Sequence, residues 1–137
     1  MPLAYLTRKA HFCASHRLHS PHLSDAENKK VFGKCNHPSG HGHNYVVEVT
    51  VKGEIDPQTG MVMNLTDLKK ALDETVMHWM DHKHLNIDVP EFEQLNPTAE
   101  NIAFIIWKML EKKMSPPLLH QVKLFETENN SAIYRGE

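Results

Sequence analysis

A chain of 137 residues with 15 Lys+Arg against 17 Asp+Glu, a net charge of -2 and no long run of either sign, has the length of one domain, taken as 1–137. It carries no electrostatic footprint for nucleic acid or an anionic membrane, which leaves small molecules as the expected ligands. No apolar stretch approaches the roughly 18–20 residues of a membrane span, and "MPLAYLTRKAHF" lacks the apolar run of a signal peptide, so a cytoplasmic protein with Cys13 and Cys35 reduced is expected.

In chain order, Leu3 to His16 reads as a β-strand of mixed, polar-tolerant pattern. Arg17 to Gly42 is too polar and too broken by Pro21, Gly33, Pro38 and Gly40 for regular structure, apart from a short helix around Ser24 to Val31. Connections of this length inside compact domains usually carry function. From Tyr45 the alternation is cleaner: Tyr45, Val47, Val49 and Val51 share one face, with Val46, Glu48, Thr50 and Lys52 on the other. "DPQTGMV" is a turn signal. Leu65, Leu68, Leu72, Val76, Trp79 and Met80 then recur at helical spacing behind an Asn64 or Thr66 cap, ending near Asp81. A loop from Val89 to Asn96 leads to a second helix with Ile102, Ile105, Ile106, Met109 and Leu110 on one side, stopped by "SPP" at 115–117. The chain closes with a hairpin, Val122 to Thr127 and Ala132 to Arg135. This order predicts an α+β domain with helices on one face of an antiparallel sheet. So short a chain leaves little material for a deep private cleft, so a site shared between subunits is expected.

The unusual feature is chemical. There are 11 histidines, and "GKCNHPSGHGHNY" puts Cys35, His37, His41 and His43 in one segment. If the chain is extended there, His41 and His43 project to the same side, and His16, at the end of the first strand, supplies a third imidazole. Three neutral imidazoles around Zn²⁺ with a fourth position open is the arrangement of a catalytic zinc; the competing reading is that these are loop residues without a ligand. His19, His22, His37, His78, His84 and His120 read as solvated or core-edge residues. Cys35, beside Lys34 and the His pair, has three open readings: a thiolate base or nucleophile, a fourth zinc ligand, or an inert small residue. Asp81 and His82 are either a proton-relay pair or a solvated helix C-terminus. Glu126 shares the parity of Val122 and Leu124, so it is either an inward carboxylate needing N–H donors or a strand-end residue turned to solvent.

Taken together, "ASHRLHS", "FGKCNHPSGHGHNY", "EIDPQTGMVMNLTDL", "DHKHLN", "TAENIA" and "ETENNSAIYRGE" closely resemble the 6-pyruvoyltetrahydropterin synthase family of the animal type, from about residue 10 to 137. The resemblance implies the tetrahydrobiopterin-pathway fold, a four-stranded antiparallel sheet with two helices on one side. It further implies three subunits closing into a barrel, and two trimers stacking into a homohexamer with active sites at subunit interfaces. The family's zinc histidines fall on His16, His41 and His43, its catalytic cysteine on Cys35, and its Asp-His pair, given by a neighbouring subunit, on Asp81 and His82. Its pterin-anchoring carboxylate falls on Glu126, and its pterin-contacting loop on Thr98 and Glu100; the family has a second threonine where Ala99 stands. The implied reaction is zinc-dependent conversion of 7,8-dihydroneopterin triphosphate to 6-pyruvoyltetrahydropterin with loss of triphosphate, in tetrahydrobiopterin biosynthesis. Lys29, Lys30 and Lys34 are candidates to meet the triphosphate charge, with Mg²⁺ as a second candidate ion. Two rivals stand beside this reading. One is the related 6-carboxytetrahydropterin synthase, whose usual spacing between the cysteine and HGH is three residues against five here. The other is a non-catalytic zinc or pterin binding module on the same fold.

Overall fold

A computed structural model describes residues 1–114 and 118–137. The "SPP" segment expected to stop the second helix lies outside the described residues. The chain runs β1 (Leu3–His16), α1 (Asp25–Phe32), a 3-10 turn (Gly33–Asn36), β2 (His41–Glu54), α2 (Leu65–Leu72), a π turn (Asp73–Met77), α3 (His78–Met80), β3 (Lys83–His84), α4 (Leu85–Asp88), a second 3-10 turn (Pro90–Phe92), α5 (Ala99–Glu111), β4 (Leu119–Phe125) and β5 (Ser131–Tyr134). Among the described residues no helix is long and apolar enough to cross a membrane.

Among the described residues one sheet of five strands, ordered β3-β1-β2-β4-β5, forms the frame. The four long strands are antiparallel to their neighbours, while β3 pairs in parallel with the end of β1 through Ala14 and Ser15. The count therefore exceeds the expected four by one: two residues between α3 and α4 have too little pattern to announce a strand, and only their docking on β1 makes them one. β1 and β2 pair along their whole length, from Leu3 opposite Glu54 to His16 opposite His41. β2 thus starts four residues before the alternation becomes legible at Tyr45, because histidine and glycine give no apolar period.

The alternation sets the layers. Tyr45, Val47, Val49 and Val51 are fully buried, as are Val122 and Leu124 on β4. They pack in one cluster with Leu68, Leu72 and Val76 from the first helical segment and Ile102, Ile106 and Leu110 from α5. Burying such side chains contributes roughly 1.5–3 kcal/mol each relative to exposure. The first helical segment reads as one continuous stripe in sequence, yet Trp79 and Leu65 are exposed. The π turn is the reason for Trp79: a residue more per turn rotates the next stretch of helix, so Met80 and not Trp79 meets the core. Caps set the helix starts, with Asn64 Oδ1 accepting from the Thr66 N–H and Thr98 Oγ1 from the Asn101 N–H. Ser24 and Glu27 form a reciprocal capping box on α1.

Candidate metal and active site

At one end of the β1–β2 ladder the apolar layer gives way to polar residues of the same parity. His16 closes β1, facing the same way as buried Phe12 and Ala14, and is itself fully buried. His41 and His43 open β2, opposite His16 and Ala14. The three rings pack edge to face with centroids 4.7–5.1 Å apart. Gly40, just before β2, has φ +73, and a Cβ there would sit 2.8 Å from the His16 carbonyl oxygen, so the close of the hairpin requires glycine.

The ring nitrogens tell what the cluster can do. His16 Nδ1 lies 2.7 Å from the Pro97 carbonyl, which accepts from a protonated Nδ1 and leaves Nε2 as a free lone pair. His16 Nε2, His43 Nε2 and His41 Nδ1 are buried without a hydrogen-bond partner among the described residues. Such groups cost free energy unless something meets them. Three of them converging, with ligand atoms within 4.8 Å of one another, is a donor set that could hold a metal ion. Burial lowers the His16 pKa to about 4, offset in part by the Pro97 bond and reinforced by His41 and His43, so the ring is neutral and donor-ready near pH 7. His43 is lowered too, first by burial, against the pull of Glu126.

Glu126 lies one residue beyond β4, keeping the inward parity of Val122 and Leu124. Its carboxylate oxygens stand 3.8 Å from His43 Nε2 and 4.0 Å from His16 Nε2. With neutral rings these separations are too long for hydrogen bonds and are not ion pairs. The carboxylate borders the triad with its oxygens free for donors from a ligand. Tyr45, which sequence reasoning assigned only to the core, stacks on Phe12 with its hydroxyl 3.3 Å from His16 Nδ1. Its phenol is pushed up by burial, then by the charges of Glu126 and Cys35. Cys35 sits half-buried in the 3-10 turn, which has no apolar periodicity to betray it.

Asp81 and His82 sit elsewhere in the chain. The Asp81 carboxylate accepts from the Cys13 N–H and lies 3.0 Å from His82 Nδ1, while the His82 N–H donates to the Cys13 carbonyl. Burial works against the Asp81 charge, but these hydrogen bonds hold its pKa, on balance, below the usual range. His82 has φ +61, an uncommon left-handed conformation for a non-glycine residue, and its ring is 81 % exposed. Among the described residues no hydrogen bond joins this pair to Cys35 or the histidine triad. Cys13 and His16 are three residues apart, about 10 Å along an extended strand.

The Thr98 hydroxyl is engaged as the α5 cap, and Glu100 is exposed in the first turn of that helix. Lys29, Lys30 and Lys34 are exposed on α1 and the 3-10 turn. Cys13 and Cys35 are free thiols. Of the solvated and core-edge readings open for His84, the second fits: it is half-buried, with Nδ1 shielded and without a partner among the described residues. Its position follows from β3, which the sequence did not reveal.

Comparison with known proteins agrees with this architecture. The family description "6-pyruvoyl tetrahydropterin synthase" matches residues 5–137. A human 6-pyruvoyl tetrahydrobiopterin synthase is 56% identical over 134 residues, covering 98% of this chain and 92% of the human protein. The Drosophila melanogaster 6-pyruvoyl tetrahydrobiopterin synthase is 53% identical over 136 residues, covering 98% of this chain and 81% of its own length. The solved structure of Caenorhabditis elegans 6-pyruvoyl tetrahydropterin synthase superposes with a TM-score of 0.96 at 46% identity, covering 100% of this chain and 98% of that one. Similarity that runs over nearly the whole chain leaves one assignment: the chain belongs to the 6-pyruvoyl tetrahydropterin synthase family.

Proposed function

We propose that this chain is a zinc-dependent lyase converting 7,8-dihydroneopterin triphosphate to 6-pyruvoyltetrahydropterin with release of triphosphate. It is an enzyme of tetrahydrobiopterin synthesis by its family. Zinc, the substrate, the residue roles and the assembly are our reading, and the observation that carries it is the convergence of three buried, unpaired imidazole nitrogens.

His16, His41 and His43 would hold the ion, the Pro97 carbonyl fixing the His16 tautomer. When bound, Zn²⁺ supplies Lewis acidity toward the side-chain hydroxyls of the substrate, making the adjacent C–H proton easier to remove. Glu126 accepts from the amino and ring N–H groups of the pterin. The Cys35 thiolate takes the side-chain proton, and Asp81 orients His82 to carry protons through the redox-neutral rearrangement. Triphosphate leaves as an intact anion, with Lys29, Lys30 and Lys34 as cations near its path and Mg²⁺ as a candidate counter-ion. Thr98 and Glu100 border the pterin. Asp81 and His82, held against β1 with the His82 ring exposed, serve a neighbouring copy in a homohexamer built as a dimer of trimers, as the family resemblance implies. The whole of 1–137 is one such domain, acting in the cytoplasm.

The test is anaerobic incubation of zinc-loaded protein with 7,8-dihydroneopterin triphosphate, following triphosphate release and identifying the pterin by mass spectrometry. The expected result is zinc-dependent formation of the pyruvoyl pterin, lost in Cys35→Ala with pterin binding retained. A carboxy-pterin product would overturn the reaction assigned, and unchanged turnover in Cys35→Ala would remove the thiol from it.

A further inference from the structure

Beyond His16 the chain leaves the sheet, and residues 17–20 have no strand partner, yet asparagine side chains from four different places meet their backbone. Asn86 Oδ1 accepts from the Arg17 N–H and Asn86 Nδ2 donates to the Arg17 carbonyl, at 2.8 and 2.9 Å. Asn36 Nδ2 donates to the Leu18 carbonyl at 2.7 Å. Asn96 Oδ1 accepts from the His19 N–H at 3.1 Å. Asn28 Oδ1 accepts from the Ser20 N–H at 2.8 Å and its Nδ2 returns to the Ser20 carbonyl at 2.9 Å. An asparagine amide offers a donor and an acceptor in the geometry of a peptide group, so these side chains replace the missing strand.

One of the four does more than hold the loop. Asn36 follows Cys35 directly and is 5% exposed. The Leu18 N–H donates to the Cys35 carbonyl at 2.9 Å, Arg17 Nε donates to the Asn36 carbonyl at 2.9 Å, and the Asn36 amide also donates to His19 Nδ1 at 3.0 Å. The backbone of Cys35–Asn36 is thus laced to the residues immediately after His16. No other described hydrogen bonds join the Cys35 backbone to the end of β1.

We propose that Asn36 is a positioning residue that sets the Cys35 thiol relative to the histidine triad, through its amide on Leu18 and His19 and its carbonyl under Arg17. The inference rests on the reading of Cys35 and the triad as thiol base and metal site. A tether of this kind governs the turnover step and leaves the ligands untouched, since none of its bonds reaches a His16, His41 or His43 side chain, and His16 Nδ1 is held from Pro97 instead.

The test uses the full chain in a Cys13→Ser background, because Cys13 is exposed and would also be alkylated. Iodoacetamide alkylation of Cys35 is timed with and without Zn²⁺, beside Zn²⁺ affinity by chelator competition and kcat and KM. In the parent chain Zn²⁺ accelerates alkylation, since nearby positive charge favours thiolate. In Asn36→Ala that acceleration is lost and kcat falls about 10- to 100-fold, with KM and Zn²⁺ affinity within about twofold. Should Asn36→Ala not fold, Arg17→Lys, which keeps the positive charge but lacks the Nε–H that bonds the Asn36 carbonyl, shows the same split at smaller size. Full acceleration and kcat retained in the folded variants overturn the inference while leaving the metal and thiol reading intact. Absence of any Zn²⁺ effect in the parent chain overturns both.

Discussion

Two stretches of one sheet face make opposite uses of burial. In the middle of the sheet Val47, Val49, Val51, Val122 and Leu124 are fully buried against helices and need nothing further. A few residues along the same ladder, at the same parity, His16 is just as buried, with His43 and Glu126 beside it and ring nitrogens left without partners. Apolar side chains gain free energy from leaving water wherever they go; polar ones lose it until something pairs with them. The middle of the sheet is therefore a source of stability, and its end is a cluster that could hold a metal ion.

Leu124→Ala and His43→Ala sharpen the contrast most. Leu124→Ala is expected to lower the free energy of unfolding by roughly 2–5 kcal/mol, the range for a large-to-small change in a packed core, with one zinc still bound per chain. His43→Ala is expected to lose zinc binding yet to leave the metal-free protein nearly as stable, because it removes a buried nitrogen that had no partner. Urea unfolding with and without zinc measures both. A metal-free His43→Ala protein as crippled as Leu124→Ala would erase the distinction.

The second prediction titrates the polar end. In the metal-free protein the pKa of His16 is lowered from 6.5 to about 4. Between those values the unfolded chain binds a proton that the folded chain refuses, so stability rises with pH through this window and is lost as pH falls from 6.5 toward 4. The full difference is about 3 kcal/mol. Comparing the pH dependence of unfolding with that of His16→Gln isolates it; identical profiles from pH 6.5 to 4 would show that the ring takes its proton in the folded state.

The smallest effect belongs to α1, which covers neither the core nor the triad. Ser24→Ala removes the hydroxyl that accepts from the Glu27 N–H and, with it, half of the capping box, and costs about 1 kcal/mol in thermal or urea unfolding. A loss approaching that of Leu124→Ala would mean that the polar loop and the apolar middle unfold as one tightly coupled unit.

Much of this was legible beforehand. Leu3–His16 stands where its residues predicted, and the face shared by Tyr45, Val47, Val49 and Val51 is the buried one. Counting from Val122 made an inward Glu126 one of two open readings, and the residue stands just past the strand beside His43 and His16. The family resemblance was written in motifs and needed no coordinates. Other features left no trace: β3 is two residues long, the π turn that exposes Trp79 has no sequence mark, and the asparagines around residues 17–20 come from segments far apart in the chain.

What the sequence determined by itself is whatever repeats locally: the period of two that orients a strand, the caps that start helices, and the His-x-His spacing that sends two rings the same way. What the tertiary structure decided is which distant groups complete one another. It brought Pro97 to His16, Asn36 to Leu18 and Cys13 to Asp81. A hydrogen bond depends on distance and direction to within tenths of an ångström, and only the packed chain fixes those between residues with no periodic relation in the sequence.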